Sequence, residues 1–326
     1  MRICIYGAGA GGGHFAARLA QGEHQVSVIA RGDHLVAIRE NGLTLLSGEE
    51  RLVARPVATD DPASLGPQDL VIVTVKATAL AGVAEGLKPL VGERTRVLFT
   101  QNGMPWWYPV GSPENLATPP ELPSFRLAQP FLAAVPAEHI LGGLVYSANE
   151  VREPGVVFNN SPGANRVDIG AIAAGDTDAE PYREVFRRAG IASLPVADIR
   201  EAIWKKLLFN MSGSVIALAT GNQSSIARKD PGLAEVYVRI VREGLAIAAA
   251  HGYRLQEELV PEDMLKTTLD HKPSILQDYE QGRAMEVAEI VLAPLEFARS
   301  AGIDAPALQT IAAIVSRLAR DRGLFV

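Results

Sequence analysis

The chain opens with "MRICIYGAGAGGG", where Gly7, Gly9 and Gly12 fall in G-x-G-x-x-G order between a short apolar run and a segment of helical apolar spacing. Those residue types at that spacing suit a pyrophosphate. Gly7 permits the tight turn, Gly9 lets the backbone approach the phosphates, Gly12 lets strand and helix pack closely, and the helix amino end stabilises negative charge. The competing reading, a glycine-rich turn that binds nothing, loses ground because the motif has the strand-before, helix-after context it requires. Gly7, Ala8, Gly9, Ala10, Gly11 and Gly12 are therefore the candidate dinucleotide-binding residues. The second strand-like run ends "VIARGDH". An acid at that tip would accept a hydrogen bond from a ribose 2′-hydroxyl, whereas the guanidinium of Arg31 suits a 2′-phosphate by charge and by fork geometry. NADPH is the expected cofactor, and Asp33, two residues on, leaves NAD open.

Two more loops leave apolar strands where ligands of open α/β sheets sit. "VTVKAT" places Lys76 at one, and "FTQNG" places Gln101, Asn102 and Gly103 at the other. Lys76 can meet a phosphate, a ribose or an anionic substrate. Asn102 either holds ribose or amide groups or simply makes an Asn-Gly turn. Further along, "IWKKLLFN" sets Lys205 and Lys206 inside a mostly apolar run. Apolar helices do not carry paired ammonium groups without water or a partner nearby. On one helix the two lysines point about 100° apart, and Lys206, Asn210 and Ser214 share a stripe.

The elements that must position these groups follow from periodicity. "RICIY", "HQVSVIA", "DLVIVTVKA" and "TRVLFTQNG" read as strands apolar on both faces, alternating with helical runs such as "GHFAARLAQ" and "HLVAIRENG". That alternation predicts a parallel sheet covered on both sides. A proline- and tryptophan-rich excursion at 105–136 interrupts it, and "HILGGLVYSANE", "PGVVFNN" and "NRVDIG" resume strand character. From about Ile199 the pattern is helical throughout. The expected fold is α/β, a Rossmann-type doubly wound parallel sheet followed by an all-helical second domain, with the boundary at residues 195/196.

Bulk properties exclude several classes. A chain of 326 residues with 48% hydrophobic and 21% charged residues is globular and long enough for two domains. A net charge of −6 with scattered lysines and arginines offers no face for nucleic acid or an anionic membrane. One cysteine, Cys4, and six histidines without HxxxH or CxxC spacing suggest no metal site. No apolar run reaches the ~20 residues a membrane span needs, and a cytoplasmic protein is expected.

Taken in order, "GAGAGGG", "ARGDH", "VKA", "QNG", "WKKLLFN" and "KPSILQDYEQGRAME" resemble the ketopantoate reductase family through nearly the whole chain. The resemblance implies NADPH-dependent reduction of 2-dehydropantoate, a 2-oxo acid, to its 2-hydroxy acid on the pantothenate pathway. It also implies residue roles. Lys206 is the catalytic lysine, Asn210, Ser214 and Ser274 hold the substrate, Glu286 serves the cofactor or the substrate hydroxyl, and the helical domain can form a homodimer. An ammonium beside a carbonyl oxygen fits, since hydride transfer leaves charge there that must be stabilised and protonated. Ser274, Asp278, Gly282 and Glu286 recur every four residues and are expected on one helix stripe, although Ser274 can instead cap that helix. Ser214, Ser224 and Ala288 depart from the family pattern, and adjacent Trp106 and Trp107 offer either an aromatic wall for a substrate or plain packing. Reduction of another small 2-oxo acid, or a dinucleotide sensor without turnover, are the rival functions.

Overall fold

Short runs of β-branched and aliphatic residues build the amino-terminal sheet of the computed structural model, which describes residues 1–113, 116–173, 178–268 and 270–325. The strands are β1 (Arg2–Tyr6), β2 (Gln25–Ile29), β3 (Leu43–Ser47), β4 (Glu50–Ala54), β5 (Val57–Thr59), β6 (Leu70–Val73), β7 (Arg96–Phe99), β8 (Ile140–Val145), β9 (Asn149–Glu153), β10 (Val156–Asn159) and β11 (Val167–Ala171). Seven of them form one sheet in the order β11-β8-β7-β6-β1-β2-β5. All its pairings are parallel except the antiparallel β8–β11 edge. Ile3, Cys4 and Ile5 of the central β1 are wholly buried, as both faces of a covered sheet demand. Chain order reverses between β1 and β6, so the carboxyl ends of these two strands flank a crevice.

Periodicity missed a second sheet, β4-β3-β10-β9. "LTLLS" and "ERLVA" form its β3–β4 hairpin, and "PGVVFNN" joins this sheet rather than extending the first. The helix α1 (Ala10–Leu19) shows why it belongs there. A side chain on Gly12 would strike the Gly7 carbonyl at 2.1 Å and Ile5 at 3.0 Å, whereas one on Gly13 would strike Val157 of β10 at 2.6 Å. Consecutive glycines thus bring one helix against both sheets. The next helix, α2 (Gly32–Asn41), ends at Gly42 with φ +82°, a conformation that glycine adopts without strain.

By compactness the chain divides into one unit of residues 1–101 with 127–199 and a second of 102–126 with 200–326. The sequence boundary at 195/196 ran the excursion on with the first domain; the structure groups residues 102–126 with the carboxyl-terminal helices. Residues 114 and 115 of that excursion lie outside the described residues. The reason for the grouping is aromatic packing. Trp106 and Trp107 are only 1% and 2% exposed. Tyr108 accepts 2.8 Å hydrogen bonds from the Trp204 indole and, at its carbonyl, from Arg200. Trp204 and Tyr108 each meet Phe297 edge-on at 5.3 Å. The paired tryptophans are packing.

The second unit is helical, as predicted, but its helices are interrupted. Ile199–Phe209 passes through a π turn at Asn210–Ser214 before Val215–Thr220. The stretch read as one long helix from Ser274 ends at Glu280 instead, because Gly282 adopts φ +66° and turns the chain. Ser274 and Glu286 therefore do not share a helix stripe. Among the described residues no helix is long and apolar enough to cross a membrane, and no group of three acidic, histidine or cysteine residues is placed to hold a metal.

Candidate functional site

In the first unit the candidate residues converge on the β1–α1 turn. Gly7 has φ +107°, a conformation side chains resist, and the Gly7 and Ala8 amides both donate to the Ile29 carbonyl at the end of β2 (3.0 and 3.1 Å). Thr74, just past β6, donates to the Gly7 carbonyl at 2.5 Å. Around Gly9 and Gly11 there is open space, since a Cβ there would meet nothing within 4 Å. No side chain caps α1 and no acid stands in its first turn, which leaves its amino-terminal amides and their partial positive charge available to an anion. Ala10 and Gly11 begin that helix.

A cavity of about 230 Å³ lies beside this turn, lined by Tyr6, Gly7, Ala8, Gly9, Ile29, Ala30, Arg31, His34, Val75, Ala79 and Val83. Arg31 is exposed and precedes α2, with Asp33 in that helix's first turn. Burial raises the Tyr6 phenol above its ordinary pKa, and the Arg31 charge opposes the rise. Lys76 is half-buried and precedes the short helical stretch Ala77–Gly82. Gln101 donates to the Val73 and Val75 carbonyls (3.0 and 3.1 Å), so it shapes the loop that carries Lys76.

In the second unit Lys206 Nζ donates to Asn102 Oδ1 at 2.8 Å, and Asn102 Nδ2 lies 3.4 Å from Glu286 Oε2. The polarity is matched at both ends. An ammonium can only donate and a carboxylate can only accept, so one amide presents oxygen to the first and nitrogen to the second. Asn102 is thus more than an Asn-Gly turn. The adjacent Gly103 is pressed against Glu289, where a Cβ would come within 2.6 Å, and Met104 N–H donates to the Glu289 carbonyl at 2.9 Å. The Glu289 carboxyl was not foreseen. Burial, and after it the charge of Glu286, push its pKa up to about 7. Its i,i+3 spacing from Glu286 was the available signal.

The remaining predicted residues stand apart from this chain of hydrogen bonds. Asn210 and Ser214, both half-buried, open and close the π turn, and the extra residue per turn breaks the simple four-residue stripe with Lys206. Ser274 is exposed at the first position of its helix, and Pro273 occupies the cap position. Ser224 is buried, its hydroxyl without a hydrogen-bond partner among the described residues, and Ala288 begins the π turn Ala288–Leu292. Lys205, by contrast with Lys206, forms ion pairs with Glu201 and Glu258, each at 2.7 Å. The two adjacent lysines have separate surroundings.

Comparison with known proteins places the whole chain. Residues 3–174 match the family described as "Ketopantoate reductase PanE/ApbA", and residues 198–319 match its "C terminal" counterpart. A 2-dehydropantoate 2-reductase of Mesorhizobium japonicum is 33% identical, with both chains covered in full. A crystal structure of a putative ketopantoate reductase from Ralstonia solanacearum superposes with TM-score 0.89 at 32% identity, over 99% of each chain. The fold is shared more widely. D-mandelate dehydrogenase, solved with NADH and anilino(oxo)acetate, has TM-score 0.82 at 20% identity, covering 99% of this chain and 100% of the other.

Proposed function

The chain belongs to the ketopantoate reductase family and is an NAD(P)-dependent oxidoreductase acting on CH-OH groups, and from that premise we propose that it reduces 2-dehydropantoate to pantoate with NADPH. The observation that carries the proposal is the Lys206–Asn102–Glu286 chain of hydrogen bonds. Bound NADPH supplies the hydride. Lys206 stabilises the negative charge that develops on the carbonyl oxygen and gives that oxygen its proton. Asn102 fixes the ammonium in place, and Glu286, 6% exposed, offsets its charge from the other end of the amide. Asn210, Ser214 and Ser274 hold the substrate carboxylate and hydroxyl.

Gly7, Ala8, Gly9, Ala10, Gly11 and Gly12 cradle the pyrophosphate, and the open space at Gly9 supports that role. Arg31, at the lip of the cavity beside Tyr6, meets the 2′-phosphate that distinguishes NADPH from NADH, and Lys76 approaches the nicotinamide side. In this reading residues 1–101 with 127–199 bind the cofactor, and 102–126 with 200–326 bind the substrate and form a homodimer. A place in pantothenate biosynthesis and in the cytoplasm completes the proposal.

The test is steady-state kinetics with 2-dehydropantoate beside a panel of other 2-oxo acids, under NADPH and under NADH. The highest kcat/KM is expected for 2-dehydropantoate with NADPH. A higher value for another oxo acid would reassign the substrate, and tight NADPH binding with no oxo acid turned over would favour a sensor.

A further inference from the structure

The "ARGDH" segment carries a histidine that joins two parts of the fold. His34, in the first turn of α2, is in contact at both ring nitrogens: Nε2 lies 2.7 Å from the Ala8 carbonyl of the glycine turn, and Nδ1 is 3.0 Å from the backbone nitrogen of Gly155. A backbone N–H only donates, so Nδ1 must be the acceptor. The ring hydrogen therefore resides on Nε2 and is donated to Ala8. Only the neutral Nε2–H form satisfies both contacts, because an imidazolium would set one N–H against another.

Gly155 is itself fixed. It sits with φ +78° in the turn between β9 and β10, its carbonyl accepts from Thr44 N–H of β3 at 2.8 Å, and a Cβ on it would lie 3.1 Å from Ala37 of α2. The imidazole is thus a rigid link from the second sheet to the glycine turn. The consequence lies in one peptide plane. The Ala8 carbonyl and the Gly9 N–H belong to the same planar trans peptide and point in opposite directions. A carbonyl held toward His34 turns the Gly9 N–H away from it, at the residue whose surroundings are open.

We propose that His34 is a positioning residue for the dinucleotide: it orients the Ala8–Gly9 peptide so that the Gly9 N–H is presented to a pyrophosphate oxygen. This rests on the NADPH reading above. Loss of the link lets the peptide rotate and weakens cofactor binding while leaving the chemical step alone.

The experiment measures NADPH dissociation constants and steady-state parameters for the wild-type protein, His34→Met and His34→Gln. Methionine fills similar space without a donor, whereas glutamine carries an amide donor that reaches the same carbonyl. Met is expected to weaken NADPH binding, and raise its KM, about five- to tenfold, the worth of one hydrogen bond, with kcat at saturation changed less than about twofold. Gln is expected to restore most of that affinity. Equal affinities in all three proteins, or equal losses in Met and Gln, would overturn the proposal, as would an imidazole ¹⁵N spectrum placing the hydrogen on Nδ1. A wild-type protein that binds no dinucleotide would instead remove the functional reading beneath it.

Discussion

The glycine turn of the first unit and the lysine chain of the second do their work with different parts of the polypeptide. The turn works through backbone: Gly7 supplies a conformation, Gly12 supplies room, and the groups offered to a ligand are amides. The second site works through side chains from distant positions, with 104 residues separating Asn102 from Lys206 and 184 separating Asn102 from Glu286. A backbone site tolerates no added atoms, so it fails by sterics. A side-chain site fails by loss of charge, and the two kinds of failure are separable by experiment.

Lys206→Ala is the sharpest cut. It should lower kcat by about 100-fold or more, the usual share of general acid catalysis, while NADPH affinity stays near the wild-type value. An unchanged rate would remove Lys206 from the chemistry, and a parallel loss of NADPH affinity would erase the contrast between the two regions.

Glu289 offers the next effect, in stability. Its carboxyl is raised from 4.5 to about 7 in the folded protein, so between those values the native state holds a proton that the unfolded chain has released. Stability should therefore fall as pH rises from 4.5 to 7, by at most about 3 kcal/mol, and stay lowered above. Glu289→Gln, which cannot ionise, should be more stable than wild type above pH 7 and equal to it below pH 4.5. Denaturant unfolding across that range would show the two curves diverging; curves that stay parallel would mean the carboxyl is not desolvated.

The smallest effect separates two glycines. Gly12→Ala puts a methyl 2.1 Å from the Gly7 carbonyl and 2.4 Å from the Thr74 hydroxyl, and should cost about 1–3 kcal/mol of stability by overpacking. Gly9→Ala meets no protein atom and should leave the melting temperature almost unchanged while weakening NADPH. If Gly9→Ala melts early, or binds NADPH as well as wild type, the open space there is not where the cofactor approaches.

Much of this was legible in the residue string. A five-residue apolar run meeting spaced glycines has few folded solutions, and the parallel sheet followed from strands apolar on both faces. The Lys206 position was legible through resemblance, and its separation from Lys205 through helix geometry. Other features were hidden for physical reasons. The second sheet is built from "LTLLS", "ERLVA" and "PGVVFNN", pieces that cannot announce a partner more than 100 residues away. The helix break at Gly282 looked like a continued stripe because a four-residue spacing says nothing about one residue's φ. Glu289 had only its spacing from Glu286 to mark it, and His34 only its place in "ARGDH", since neither burial nor a contact is encoded locally.

By itself the sequence determined where the phosphate-binding glycines stand and which runs form the parallel sheet, because sterics and hydrophobic periodicity act between neighbours in the chain. Tertiary structure alone decided that Asn102 joins Lys206 to Glu286, that Glu289 keeps its proton to about pH 7, and that His34 ties Gly155 to Ala8. Hydrogen-bond partners and desolvation depend on what the fold brings into contact, and no local pattern carries that distance.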